Sequence, residues 1–288
     1  MKKPLVSIIT VTFNRAKYLE ETISSVKNQD YLNIEHIIID GGSTDNTLEI
    51  IKKYEGAYNM KWISEKDEGI ADALNKGFGI AKGDIFCWLD SDDTYLPGTI
   101  KKVVEIFKKH PQIDLVFGDI LIINDKSQVI NYIKFTDFSF ETFIYEGGCI
   151  NPAATFWRRE LYNKLGGIDK EYMWSPDYNF FAKAGASKAI FYHIRDFLAA
   201  YRHHSNQILG NKNYFRKGES IFDIKLKEHK KIIQKYTSDF TEGNIRWKKR
   251  KILIKRAFKY IKQGDLLYVL RGGLKRTGIL HIPLPHKN

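Results

Sequence analysis

A chain of 288 residues with 43% hydrophobic and 14% aromatic content holds enough apolar material for one sizeable core, which excludes disorder throughout. The formal charge of +12 is unevenly placed: residues 210–288 carry 21 Lys and Arg against 6 Asp and Glu, residues 1–209 carry 25 against 28, and such a tail predicts contact with an anionic surface, membrane or nucleic acid. Cys87 and Cys149 lack metal-ligand spacing and indicate no disulfide framework, and no window approaches the roughly 18 apolar residues of a membrane span.

Apolar runs and helical periodicity alternate over the first 125 residues in a βαβα order. Leu5–Val11 reads as a first strand, too short for a signal sequence. Asn14 is placed to cap the next helix, where Leu19, Ile23 and Val26 share a face. Ile34–Asp40 reads as a strand, Gly41-Gly42-Ser43-Thr44 as the turn into a helix bearing Leu48 and Ile51, and Met60–Ser64 as a third strand. A one-sided helix follows with Ile70, Ala73, Leu74 and Gly77, then the strand Ile85–Leu89. Pro97-Gly98 opens a helix with Ile100, Val103, Val104 and Phe107, and Leu115–Ile123 returns as a strand.

This order predicts a mostly parallel, Rossmann-like α/β sheet sandwiched by helices, in which ligands bind beyond the carboxyl ends of the strands. Three polar strand exits then converge on one rim: Thr12-Phe13-Asn14, Asp40-Gly41-Gly42-Ser43 and Asp90-Ser91-Asp92-Asp93. Each alone reads equally as a turn or cap. Three carboxylates within four residues repel one another unless a cation sits among them, and a hard ion, Mg²⁺ or Mn²⁺, suits carboxylate and phosphate oxygens. No G-x-G-x-x-G follows the first strand and no G-x-x-x-x-G-K-[ST] occurs, which argues against a dehydrogenase and a P-loop enzyme.

Four ordered motifs resemble glycosyltransferase family 2: Val6–Asn14, Ile37–Asp45, Asp67–Gly77 with its Asp-Glu-Gly opening, and Asp90-Ser91-Asp92-Asp93. The resemblance covers roughly residues 4–205. It implies a GT-A fold and an inverting, metal-dependent transfer of a hexose from a nucleotide diphosphate sugar, a UDP-sugar favoured, to a glycan or lipid-linked acceptor, with a place in surface polysaccharide biosynthesis. By resemblance Thr12 and Asn14 line the nucleobase and ribose pocket, Asp40 accepts a hydrogen bond from a uracil-like ring, and Asp67 and Asn75 belong to the segment walling that pocket. Asp72 and Asn75 read equally as solvent-facing helix positions. Asp90 and Asp92 resemble the D-x-D acids, the first near ribose or bound through water, the second ligating Mn²⁺ or Mg²⁺.

In the second half, Ser175-Pro176-Asp177-Tyr178 resembles the site of the family's catalytic acid, which makes Asp177 the expected general base; where the family more often has Glu, Pro176 stands. Tyr201-Arg202-His203-His204 resembles a closing element whose histidine, here His204, approaches diphosphate or metal; both histidines read equally as loop residues. Trp157, Tyr172, Trp174 and Tyr178 are candidates for sugar stacking or for core. Arg246-Trp247 lacks the preceding Gln of processive synthases, since position 243 is Gly, and single addition is expected.

The expected organisation is a catalytic domain over 1–209, with a nucleotide-sugar half (1–125) and an acceptor half (126–209), and a basic helical extension over 210–288. From Arg246 to Lys262 there are nine Lys or Arg and no acid, with Trp247, Ile254, Phe258 and Ile261 at helical spacing. Such a helix either lies on the inner face of the cell membrane, as a peripheral cytoplasmic protein requires, or packs on the body or on a second copy. Nucleic-acid binding through the tail and a nucleotidyltransferase activity are the competing functions, and neither has a supporting motif: no nucleic-acid signature and no glycine-rich loop after the first strand are present.

Overall fold

The computed structural model describes residues 3–146, 149–205, 215–216, 218–237 and 242–270, with backbone alone at 215–216, 242–247 and 249–250. The first half runs β1 (Val6–Thr12), α1 (Ala16–Lys27), β2 (Ile34–Asp40), α2 (Thr47–Lys53), β3 (Met60–Ser64), α3 (Ile70–Ile80), β4 (Ile85–Trp88), β5 (Thr94–Tyr95), α4 (Thr99–Lys109) and β6 (Leu115–Ile123). It continues through β7 (Val129–Ile133), α5 (Phe140–Glu146), β8 (Thr155–Arg158), α6 (Arg159–Leu165), α7 (Pro176–Ala186) and β9 (Phe191–Arg202). A short ribbon, β10 (Phe215–Arg216) with β11 (Glu219–Ser220), leads to α8 (Ile221–Tyr236), α9 (Glu242–Lys262) and α10 (Leu266–Leu270).

The main sheet orders its strands β3-β2-β1-β4-β8-β6-β9-β5, with β7 added to β6. β3, β2, β1 and β4 are mutually parallel, and every residue of β2 is buried, because both faces of a parallel strand are covered. Ile37 and Ile39 join the core under α3, while Ile38 packs with Leu19 and Ile23 of α1 and Ile51 of α2 on the opposite face. Gly77 lets α3 lie close on β1, since a Cβ there would stand 2.5 Å from Ile9 Cγ2.

β8 lies between β4 and β6, antiparallel to both, with Phe156 and Trp157 fully buried. One expectation is corrected: Asn14 does not cap α1. Its backbone is left-handed (φ 52°), and its Oδ1 accepts from the backbone N–H of Thr44 (2.8 Å) and Asp45 (3.4 Å). The first amides of α1 are instead taken by Thr47 Oγ1 and Asp45 Oδ2, so the turn after β2 caps the helix after β1.

Candidate active site

β1 has β2 on one side and β4 on the other, so the chain direction of connection reverses there and leaves a crevice beyond the carboxyl ends. Register levels the exits: Thr12 pairs with Asp40, and Asp40 with Ser64. Thr12 is buried, and its Oγ1 has no hydrogen-bond partner among the described residues. Asp40 is fully buried and holds its own turn. Its Oδ2 accepts from Gly42 N–H (3.1 Å), Ser43 N–H (3.0 Å) and Ser64 Oγ (2.7 Å), and Ser43 Oγ donates to Oδ1.

Asp67 stands directly over that turn. A Cβ on Gly41 would come within 2.7 Å of Asp67 Oδ2 and 3.5 Å of the Phe13 ring, so glycine is what allows the approach. Phe13 is 56% exposed, an uncovered ring beside a carboxylate at the strand exits. Asn75 lies elsewhere: its Nδ2 donates to Ile168 O (2.7 Å), and its Oδ1 accepts from Ile168 N–H (3.0 Å) and Tyr162 Oη (2.8 Å), tying α3 to the loop after α6. Asp72 bonds Lys170 and pairs with Lys76 at 3.3 Å; the Lys170 bond, against burial, holds its carboxyl down at about 2.

The acidic turn after β4 is the most strongly perturbed part of the rim. Burial first, then the negative charges of Asp92 and Asp177, push the Asp90 carboxyl up to about 7, against the opposing pull of Arg15. Asp177 of α7 is thus one of the charges that act on Asp90. Asp92 Oδ2 lies 2.9 Å from His204 Nε2 and 4.0 Å from Arg15 Nε. His204 is buried, and its Nδ1 has no partner among the described residues. Asp93 turns inward: it accepts from Arg202 N–H at 2.9 Å, and burial pushes its carboxyl well up.

Arg202 is a support that sequence reasoning passed over in favour of its neighbour His204. Its Nε donates to Asp92 O (2.8 Å), one guanidinium nitrogen to Asn124 O (3.0 Å), and the other pairs with Glu21 (2.7 Å), with the whole side chain buried. The acidic turn is therefore clamped from β9 and α1 at once. Arg15 was missed likewise, since its partner is 77 positions away in sequence.

Asp177 occupies the first turn of α7, with Pro176 at the first helical positions and its side chain part-exposed. The loop before it is fixed by Glu228 of α8, whose carboxylate oxygens accept from Trp174 N–H at 3.0 and 3.3 Å. Burial raises the Glu228 carboxyl, opposed by bonds from Trp174, Ser175 and Met173. Nothing local in the sequence marked Glu228. Of the four aromatic candidates, Trp157, Tyr172 and Tyr178 are buried in the core, which leaves Trp174, three positions before Asp177 in sequence, as the part-exposed ring.

Among the described residues no group of three or more His, Cys, Asp or Glu side chains stands in metal-holding positions. Mg²⁺ and Mn²⁺ sites in phosphate-transferring enzymes draw one or two protein ligands and complete the shell from the substrate. The Asp92 carboxylate against His204 Nε2, with the Asp90 carboxyl raised by burial and by like charge close by, offers donors of that kind. A recess of about 140 Å³ lined by Glu68, Gly69, Asp72, Lys170 and Met173 adjoins this rim. A wider one of about 610 Å³, between Tyr31, Leu32, Lys101 and Lys108, lies at the amino ends of the strands and holds no comparable acidic cluster.

Residues 7–166 match the sequence profile described as glycosyl transferase family 2. The chain is 32% identical over 219 residues to an uncharacterized glycosyltransferase of Haemophilus influenzae, spanning 71% of this chain and 67% of that protein. It is 36% identical over 134 residues to an uncharacterized glycosyltransferase of Rickettsia felis, 46% of this chain and only 22% of that protein. Among solved structures, S. aureus TarS 1–349 in complex with UDP-GlcNAc aligns with a TM-score of 0.63 at 19% identity, over 86% of this chain and 71% of that one. The mannosyltransferase PcManGT of Pyrobaculum calidifontis, in complex with GDP-Man and Mn²⁺, aligns at 0.59 and 16% identity over 96% and 84%. At these identities the structural likeness carries the fold alone.

Proposed function

The chain belongs to glycosyltransferase family 2 and has a GT-A fold, and on that premise we propose that it is an inverting, metal-dependent hexosyltransferase that moves a sugar from a UDP-sugar to a hydroxyl of a glycan or lipid-linked acceptor. One sugar is added per encounter, at the cytoplasmic face of the membrane, in surface polysaccharide synthesis. What supports the reading is that the charge of Asp177 is among those that raise the Asp90 carboxyl, although 87 positions separate the two in sequence.

Phe13, Gly41 and Asp67 form the wall offered to the nucleobase, and Asp40 keeps that wall in shape by holding the 41–43 turn. Mn²⁺ or Mg²⁺, held by Asp92 with His204 and Asp90 beside it, would supply the charge that neutralises the departing diphosphate. Arg15 adds a fixed cation at the same turn. Asp177 takes the proton of the acceptor hydroxyl as its oxygen forms the bond to C1; the bond from C1 to the diphosphate oxygen breaks, and its electron pair leaves with the nucleoside diphosphate. Attack from the face opposite the nucleotide inverts the anomeric centre.

Thermal unfolding with UDP-, GDP- and dTDP-sugars in Mn²⁺ tests the donor: a ligand at 100 times its Kd adds about 2.7 kcal/mol to the native state, and UDP-sugars are expected to do so. Asp92→Ala should remove the Mn²⁺-dependent part of that gain and abolish turnover. Full activity in EDTA, or release of pyrophosphate in place of a nucleoside diphosphate, would overturn the assignment. Asp177→Asn should bind donor normally and lose about 10²–10⁴ in transfer rate. Product with the donor's anomeric configuration would remove the direct-displacement mechanism.

A further inference from the structure

α9 has two unlike faces. One faces the body: Ile252, Arg256 and Tyr260, four residues apart, are fully or almost fully buried. Arg256 pairs with Glu146 at the end of α5, Lys255 with Glu141 (2.9 Å), and Tyr260 Oη donates to Lys134 O (2.6 Å). Tyr260 and Tyr132 both pack on Tyr268 of α10, which fixes the second helix to the same side of the sheet. The opposite face carries Ile254 and Phe258, 59% and 62% exposed, and Ile261 one turn on; α10 adds Leu267 and Leu270, 65% and 70% exposed. At helical spacing the exposed Lys251 and Lys262 flank the Ile254–Phe258–Ile261 stripe.

We propose that this outer face of α9, with α10, is a docking surface for an anionic lipid bilayer, holding the catalytic body at the membrane with Phe258 and its neighbours in the interfacial layer. Packing and membrane contact are not alternatives here, because different stripes of one helix serve them. Exposed large apolar side chains within a run of nine cations and no acid match hydrocarbon bordered by anionic headgroups. A second copy docking by the same face would set one basic helix against another, which repels. Nucleic acid would satisfy the cations and leave the isoleucines and Phe258 in water. Lys255 and Arg256 pair with body acids, and Lys248 and Lys259 donate to Tyr145 Oη and Asp137 O, so the lipid attraction comes from the net positive charge of the segment together with the apolar stripe. The inference draws its purpose from the proposed lipid-linked acceptor, but its test needs no transfer, so the two fail separately.

The full-length protein is sedimented with vesicles of phosphatidylcholine containing phosphatidylglycerol, with pure phosphatidylcholine vesicles, and with duplex DNA. The double variant Ile254→Ser/Phe258→Ser keeps every charge. It is expected to bind the anionic vesicles at least about tenfold more weakly than the parent, since two buried apolar side chains are lost, and to unfold at the parental temperature. Parental vesicle affinity in the variant overturns the proposal. So does a marked fall in its unfolding temperature, which would mean that the chain itself covers this face, or a parental dimer that the variant dissociates. Binding by the parent to DNA but not to anionic vesicles would assign the basic face to nucleic acid instead.

Discussion

Asp90 is the residue where the electrostatics of the site are most exposed to measurement. Folded, it keeps its proton up to about pH 7, because burial and the charges of Asp92 and Asp177 oppose ionisation; unfolded, it ionises near pH 4. The native state therefore binds the extra proton, and the stability it contributes falls as pH rises from about 4 to 7. Asn has no proton to lose. Asp90→Asn is expected to unfold at the parental temperature near pH 4 and a few degrees above it at pH 8, both in EDTA. An offset equal at the two pH values would show that Asp90 is not the strained acid. The acids themselves were legible because several carboxylates at one strand exit have few structural uses. Arg202 was not, since its contacts are with a backbone carbonyl of Asp92 and a carboxylate of Glu21, and no spacing rule connects those positions.

At the scale of elements, strands and helices of the first half were readable because parallel strands and their covering helices have strong periodic signals, and Ile34–Asp40, Met60–Ser64 and Leu115–Ile123 fall where periodicity puts them. Strand order was not readable. β8, four residues long, enters between β4 and β6 from 32 positions beyond the latter, and a pattern local to either gives no hint of it. The same holds for α8, which reaches back to fix the loop ahead of α7 through Glu228. That contact gives the element a functional test. Glu228→Ala frees the Trp174 amide and should lower kcat for transfer about tenfold or more, while the donor's thermal-shift midpoint stays near that of the parent. Glu228→Gln retains an acceptor oxygen and should recover most of the rate. Equal losses in donor binding and transfer would mean that Glu228 serves general stability and not the placement of Asp177.

For the whole molecule, the charge asymmetry between residues 1–209 and 210–288 was plain in the sequence, but the docking of the tail was not. The stripe of α9 that meets the body has Arg256 at its centre, so it reads as polar, whereas Ile254, Phe258 and Ile261 face outward and the side chain of Trp247 lies outside the described residues. Ile232, Ile233 and Ile252 join the main core, and Arg256 and Glu146 form a pair that is almost entirely enclosed. Removing residues 244–288 is then expected to do more than take away the proposed lipid-docking face: it uncovers α5 and leaves Glu146 without Arg256. Breaking one partner of a buried pair costs about 3–5 kcal/mol, whereas replacing both by uncharged groups of similar size is often neutral. Arg256→Met alone should lower the unfolding temperature sharply, and Glu146→Gln/Arg256→Met should regain much of the loss, with denaturant unfolding of both single variants and the double giving the coupling. Additive losses would show that the two side chains stabilise the protein independently. A large coupling would mean that the tail and the acceptor half unfold together, so that any truncation of α9 alters the body it leaves behind.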